Sequence, residues 1–192
     1  MFTKTAGKIT HNLIRRSVIA EADFELYNFG FEMGLSILAN IATTLFIGLL
    51  FRMPLESLLF LAAFIPLRSY VGGFHASNYT RCYWLSTLVV VVVLVAVRLV
   101  SLAYHAAVFL CAGAFFAAVM FLLVPVPDPN RPLEDIEVRV YRRRGRLILC
   151  AEYAVYTVLA VLGLKTAVTV LLSTFCMTCA TACIGSVRNR TS

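Results

Sequence analysis

The chain has 192 residues, 60% of them hydrophobic and 14% charged, with a mean hydropathy of +0.85. That much apolar sequence excludes a soluble domain of this length and indicates an all-α polytopic protein integral to a membrane. The net charge of +7 and the pI of about 9.3 come from basic residues set between apolar runs, a pattern that suits anionic lipid headgroups rather than nucleic acid.

One integral domain is the simplest organisation. It comprises an amphipathic segment over 1–32, a six-span bundle over 33–187 and a tail over 188–192. The first 32 residues lack the apolar core and cleavage site of a signal peptide. Within residues 7–32, Ile14, Val18, Ala22, Leu26 and Phe29 recur at spacings of four and three, which predicts one amphipathic helix. Its basic first half and acidic second half suit attachment to the bilayer surface, and equally suit packing on the bundle.

Span one runs over about 33–51 and ends at Arg52-Met53-Pro54. The uncharged part of span two, 57–67, is only 11 residues, against about 20 for a full crossing. Span two must therefore take in Arg68, tilt little, or thin the bilayer. Span three covers about 83–103, with Arg98 near its far end, where it can snorkel. His105 falls in the turn to span four, which ends near 124. Residues 125–146 form the longest polar connection, its first half held extended by prolines and its end crowded by Arg142, Arg143, Arg144 and Arg146. Span five follows over about 147–164 with Glu152 inside it, either functional or paired with a nearby arginine. Span six covers about 166–187. Cys176, Cys179 and Cys183 lie on it at i, i+3, i+7, read as small residues at a helix interface. With the N-terminus in the cytoplasm, fourteen of the 17 basic residues lie inside. The expected location is thus a cell membrane, with both termini cytoplasmic.

The densest polar stretch is 66–84. It holds His75 and, seven residues on, Cys82, with Gly72 and Gly73 just before the histidine. A thiol and an imidazole are a candidate nucleophile and base. On one straight helix they would sit about 10.5 Å apart along the axis, so the chain must bend between them, and Gly72, Gly73 and Asn78 permit this. Asn78 or Thr80 can cap the following helix, whose positive end would favour a thiolate at Cys82, as would Arg81. The glycine amides are candidates for an oxyanion site. Arg68 is either a positive-inside anchor or a clamp for a carboxylate or oxyanion. Asn78 and Ser69 are candidates for orienting His75. A zinc site would need three or four ligands, and only His75 and Cys82 are at hand. The four arginines of 142–146 anchor the topology and are candidates for attracting an acidic peptide tail.

Arg68-x-x-x-Gly72-Gly73-x-His75-Ala76 with Cys82, followed by Pro125-x-Pro127-Asp128-x-Asn130-Arg131-Pro132-Leu133 and a basic cluster, resembles the accessory gene regulator protein B (AgrB) family over nearly the whole chain. The resemblance implies a membrane cysteine endopeptidase with His75 and Cys82 as its catalytic pair and no cofactor. It implies as substrate a quorum-sensing propeptide resembling AgrD, whose cleavage leaves an acyl thioester on Cys82 that closes to a thiolactone or lactone ring. The expected partners are that propeptide, the lipid bilayer and a second copy of the chain, with no nucleic acid. A small transporter or a noncatalytic membrane adaptor are the competing readings. The first would need paired broken helices and several charges at mid-depth, and the second would leave Cys82 dispensable.

Overall fold

The computed structural model describes residues 2–73, 79–100, 105–127 and 134–191, with side chains left aside at 79 and 188–191. Among the described residues seven α-helices follow one another: α1 (Phe2–Arg15), α2 (Phe24–Leu50), α3 (Pro54–Val71), α4 (Tyr79–Val100), α5 (Ala106–Leu123), α6 (Asp135–Val161) and α7 (Lys165–Thr191). Five stretches are long and apolar enough to cross a membrane: α2 with the turn before it, α3, α4, α5 and α7. The all-α polytopic architecture expected from composition is the one observed.

The single helix expected over 7–32 is broken. The chain reverses over 16–20, with Ser17 at φ 56°, and a 3-10 turn at Glu21–Asp23 opens α2. The acidic residues that read as the second half of one amphipathic helix instead start a new one, where negative charge meets the positive helix end. From Phe24 the helix runs without interruption into the first crossing, a length of about 40 Å. Helix α1 folds back along the start of α2. It buries Ala6 and Thr10, sets His11 against Phe24 at 4.8 Å between tilted rings, and bonds the Thr3 hydroxyl to the Glu32 carboxylate.

The next two boundaries follow the sequence closely. Arg52, at φ 57°, and Met53 turn the chain, the Met53 amide donates to the Gly48 carbonyl at 2.7 Å, and Pro54 opens α3. Proline suits that position because its missing N–H would have no helical partner there. Helix α3 continues through Pro66 and Arg68 to Val71. The short span thus lengthens by including Arg68, the first of the three options.

The polar connection differs from expectation. Helix α6 starts at Asp135, so Arg142, Arg143, Arg144 and Arg146 lie on a helix rather than in a loop. Glu134 donates its amide to Glu137 Oε2 at 3.1 Å, and Asp135 and Glu137 place negative charge on the first turn. The charged first part of α6 keeps it outside the apolar set. Its second part nonetheless runs antiparallel along the whole of α5. Gly145 lies against Val124, Arg146 Nε donates to the Phe121 carbonyl at 3.3 Å, and the Tyr156 hydroxyl donates to the Phe109 carbonyl at 2.5 Å. Span five, expected over about 147–164, falls on the far part of this longer helix.

Helix α7 is the centre of the bundle and packs on α3, α4, α5 and α6. Val168, Leu171, Phe175, Cys179 and Ala182 are buried in one core cluster, and Val170 in a second with Ile47, Phe60 and the α4 valines. Cys179 is buried and Cys176 and Cys183 are half-buried, as small residues between helices. Lipid is as apolar as these side chains, so close packing holds the helices together rather than escape from water. Gly113 shows how close: a Cβ there would overlap the buried ring of Tyr156. Gly113→Val is expected to lower stability by about 1–3 kcal/mol by overpacking, and Tyr156→Phe by about 1 kcal/mol through the lost hydrogen bond. Thermal unfolding in detergent reads both, and an unchanged midpoint for Gly113→Val would contradict this α5–α6 seam.

Candidate active site

The site begins where α3 stops. Gly72 takes φ 78° and Gly73 φ 118°, conformations that side chains with a Cβ rarely adopt. The Gly72 amide donates to the Arg68 carbonyl at 3.3 Å, ending the helix. Val126, from the segment between Pro125 and Pro127, then lies beside the turn as a single parallel bridge. Its amide donates to the Val71 carbonyl at 2.8 Å, and the Gly73 amide donates to the Val126 carbonyl at 3.3 Å. A Cβ on Gly72 would collide with that Val126 carbonyl, and one on Gly73 would lie 2.6 Å from Arg68 Nη1 and 2.8 Å from the Thr181 carbonyl.

Arg68 closes the arrangement. Its Nη1 donates to the Gly72 carbonyl at 2.6 Å and to the Thr181 hydroxyl at 3.2 Å. The guanidinium therefore joins the end of α3 to α7. Both glycine amides donate within the chain, so in this conformation the turn is a rigid support. Tyr70, next to the turn, meets the Tyr141 ring of α6 at 5.7 Å in a tilted arrangement, and Gly145 lets that helix approach the Tyr70 backbone.

Cys82 is half-buried in the first turn of α4, at the end of the bundle that holds Gly72 and Gly73. The helix begins at Tyr79, which places Thr80 inside the first turn rather than at the cap. His75 and Asn78 lie outside the described residues. Tyr83, the residue after Cys82, shares a hydrogen bond with the Thr43 hydroxyl at 2.8 Å and meets the rings of Phe2 and Trp84 at 5.9 and 5.5 Å. The N-terminal end of α1 thus borders Tyr83, the sequence neighbour of the candidate nucleophile. Ser69 bonds to the Ile65 carbonyl on its own helix at 2.7 Å and is exposed.

The AgrB family, accessory gene regulator B, matches residues 4–184. The chain belongs to that family. AgrB-like proteins of Clostridium perfringens, from strains SM101 / Type A and 13 / Type A, are each 25% identical over 160 residues, which is 78% of this chain and 75% of each relative. No solved structure matches. Family membership and the five apolar helices make this a multi-pass membrane protein with a role in accessory gene regulator propeptide processing.

Sequence reasoning singled out Arg68, Gly72, Gly73 and Cys82 from one stretch, and they share one end of the bundle. It missed Tyr83 in that same stretch, and Thr181, Val126 and Phe2, which come from three other segments. Val126 carried a weak signal, a β-branched residue held extended between two prolines. Glu152 is half-buried on α6, and its Oε2 has no hydrogen-bond partner among the described residues, so the pairing with an arginine is not made through that atom.

Gly72 and Gly163 separate two effects, because Gly163 has φ 70° but open space where a Cβ would point. Gly163→Ala should cost only the backbone term, about 1 kcal/mol. Gly72→Ala should cost a further 1–3 kcal/mol or so, because the Val126 carbonyl must move. Unfolding midpoints measured side by side decide it, and equal losses would show that the Val126 bridge carries no weight.

Proposed function

We propose that this protein is an integral-membrane cysteine endopeptidase that cuts an AgrD-like propeptide, with Cys82 as nucleophile and His75 as its base. The observation that carries the reading is the position of Cys82. It is a half-buried thiol in the first turn of α4, the next helix after a braced Gly72-Gly73 turn, in a chain matched to the AgrB family almost end to end. The helix start turns unpaired amides and a partial positive charge toward the thiol.

In the proposed reaction His75 takes the Cys82 proton and the sulfur attacks a peptide carbonyl carbon near the propeptide's C-terminal end. The C–N bond breaks, and the departing amine takes the proton back from the imidazolium. The tail leaves and the acyl group remains on Cys82 as a thioester. A cysteine thiol or serine hydroxyl within the peptide then attacks that carbonyl, which closes a thiolactone or lactone and frees Cys82. Water must be kept from the thioester, or hydrolysis intervenes. A thioester lies above an amide in free energy, so departure of the tail or the product draws the sequence forward. In this scheme Arg68 and the two glycines are positioning groups. They hold the chain that leads to His75 between α3, Val126 and α7.

The site faces the cytoplasm in this reading, since the charge bias puts 142–146 and both termini there. A single cysteine at position 143, in a background without the others, should react with a membrane-impermeant thiol reagent only from the cytoplasmic side. Labelling from outside would reverse the orientation of the site. For the chemistry, purified protein in liposomes with an AgrD-like propeptide should release the tail and show an acyl adduct by mass spectrometry. Cys82→Ala should lose both, and His75→Ala should slow release roughly 10²–10⁴-fold. Tail release at the wild-type rate by correctly inserted Cys82→Ala would refute the assignment.

A further inference from the structure

The outer face of the α5–α6 pair carries a feature that the proposed reaction does not use. Arg139, Arg142, Arg143 and Arg146 line one open cavity of about 440 Å³ together with Phe121 of α5. At about 100° per residue these four fall on one side of α6. Arg144, in the middle of the same run, points elsewhere and does not line the cavity. Arg146 is fixed in place, with its guanidinium 4.4 Å from the centre of the Phe121 ring and its Nε on the Phe121 carbonyl. Arg139, Arg142 and Arg143 are exposed.

The cavity continues away from the charges. A second one, of about 220 Å³, shares Phe121 and Cys150 with the first and runs on between Ala114 and Ala118 of α5 and Tyr153 of α6. Alanines on α5 leave this groove, and exposed Leu147 lines its basic end. The result is a cationic mouth at the end of α5 opening into an apolar channel along the crossing helices.

We propose that this groove binds a diacyl phospholipid with an anionic headgroup. The phosphate sits among Arg139, Arg142, Arg143 and Arg146, and one acyl chain lies between α5 and α6. Arginine forks match phosphate oxygens, and an amphiphile matches a site that is charged at one end and apolar along the rest. The rival occupant is the acidic propeptide tail that the run of arginines first suggested. The fold disfavours it. Helix α4, which carries Cys82, packs chiefly on α2 and α7, and the arginines line a cavity formed by α5 and α6 with no residue of α4.

The test is native mass spectrometry of the full chain released from nanodiscs of mixed phosphatidylglycerol and phosphatidylcholine. Wild type should retain phosphatidylglycerol in preference. Arg139→Gln with Arg143→Gln should reduce that preference roughly tenfold, while Arg144→Gln, which removes the same kind of charge outside the cavity, should leave it in place. Ala118→Trp, which fills the channel and keeps every arginine, should also weaken retention. Equal retention of the two lipids, or an equal loss in Arg144→Gln, would overturn the site. Displacement of the lipid by a soluble acidic peptide, with Ala118→Trp unaffected, would assign the arginines to a peptide instead. A wild-type dimer that separates in the double variant would assign the groove to a second copy of the chain.

Discussion

The Gly72-Gly73 turn, pinned between the Val126 backbone and the Arg68 guanidinium, is the constraint on which the candidate site depends. Three elements meet there that are distant in sequence: the end of α3, the proline segment after α5, and α7 at Thr181. Each contact needs the absence of a side chain at 72 or 73. Arginine suits the junction because it can donate to a carbonyl and a hydroxyl at once from a planar group. The positive charge lies where a helix ends in exposed carbonyls, which the helix dipole favours. One side chain therefore caps α3, orders the glycine turn and joins both to the central helix.

That junction holds only because α7 is itself fixed. Half of its membrane-length window is buried, against 22–28% for the other apolar helices. Its core is not wholly apolar, since Thr169, Thr174 and Thr178 are buried. Thr169 and Thr174 donate to the carbonyls four residues back, at 2.8 and 2.9 Å, so they introduce no unmet donor. Threonine is small and branched, and it lets neighbouring helices approach where leucine would hold them apart. Thr181 repeats the local bond, to the Thr178 carbonyl at 2.9 Å, and still accepts from Arg68. A hydroxyl can donate once and accept as well, and both capacities are used here.

The crossings are legible in the sequence because bilayer thickness and backbone hydrogen bonding leave a long apolar helix as the available solution. Turn residues mark their ends, with Pro54 opening α3 and Gly163, at φ 70°, following α6. Two elements are not legible in this way. The break at 16–20 lies within an unbroken amphipathic pattern, and the pattern cannot say that α1 finds its apolar partner on α2 rather than in lipid. The start of α6 lies in a polar stretch, where hydropathy is silent and only the Glu134 and Glu137 capping pair marks a helix. The candidate site is legible to the extent that it is contiguous. Arg68, the glycines and Cys82 occupy one stretch, whereas Thr181 lies 113 residues from Arg68 and its role depends on tertiary packing.

Reading α6 as a helix also changes what its arginines can do. In a flexible loop, neighbouring charges act together as one patch, and Arg144 would be as useful as Arg143. On a helix, successive residues diverge by about 100°, so the run divides between different sides. Arg139, four residues before Arg143, joins the shared side from outside the run, and Arg144 leaves it. Gly145 lies in the midst of these charges yet is buried against Val124 and the Tyr70 backbone. It is the point where α6 enters the bundle, and a larger residue there would push the helix away from the turn that Arg68 holds. The helix thus serves both regions. Its buried side supports the Gly72-Gly73 junction through Tyr70, and its charged side lines the cavity beside α5. Gly145 joins the two regions on one continuous helix.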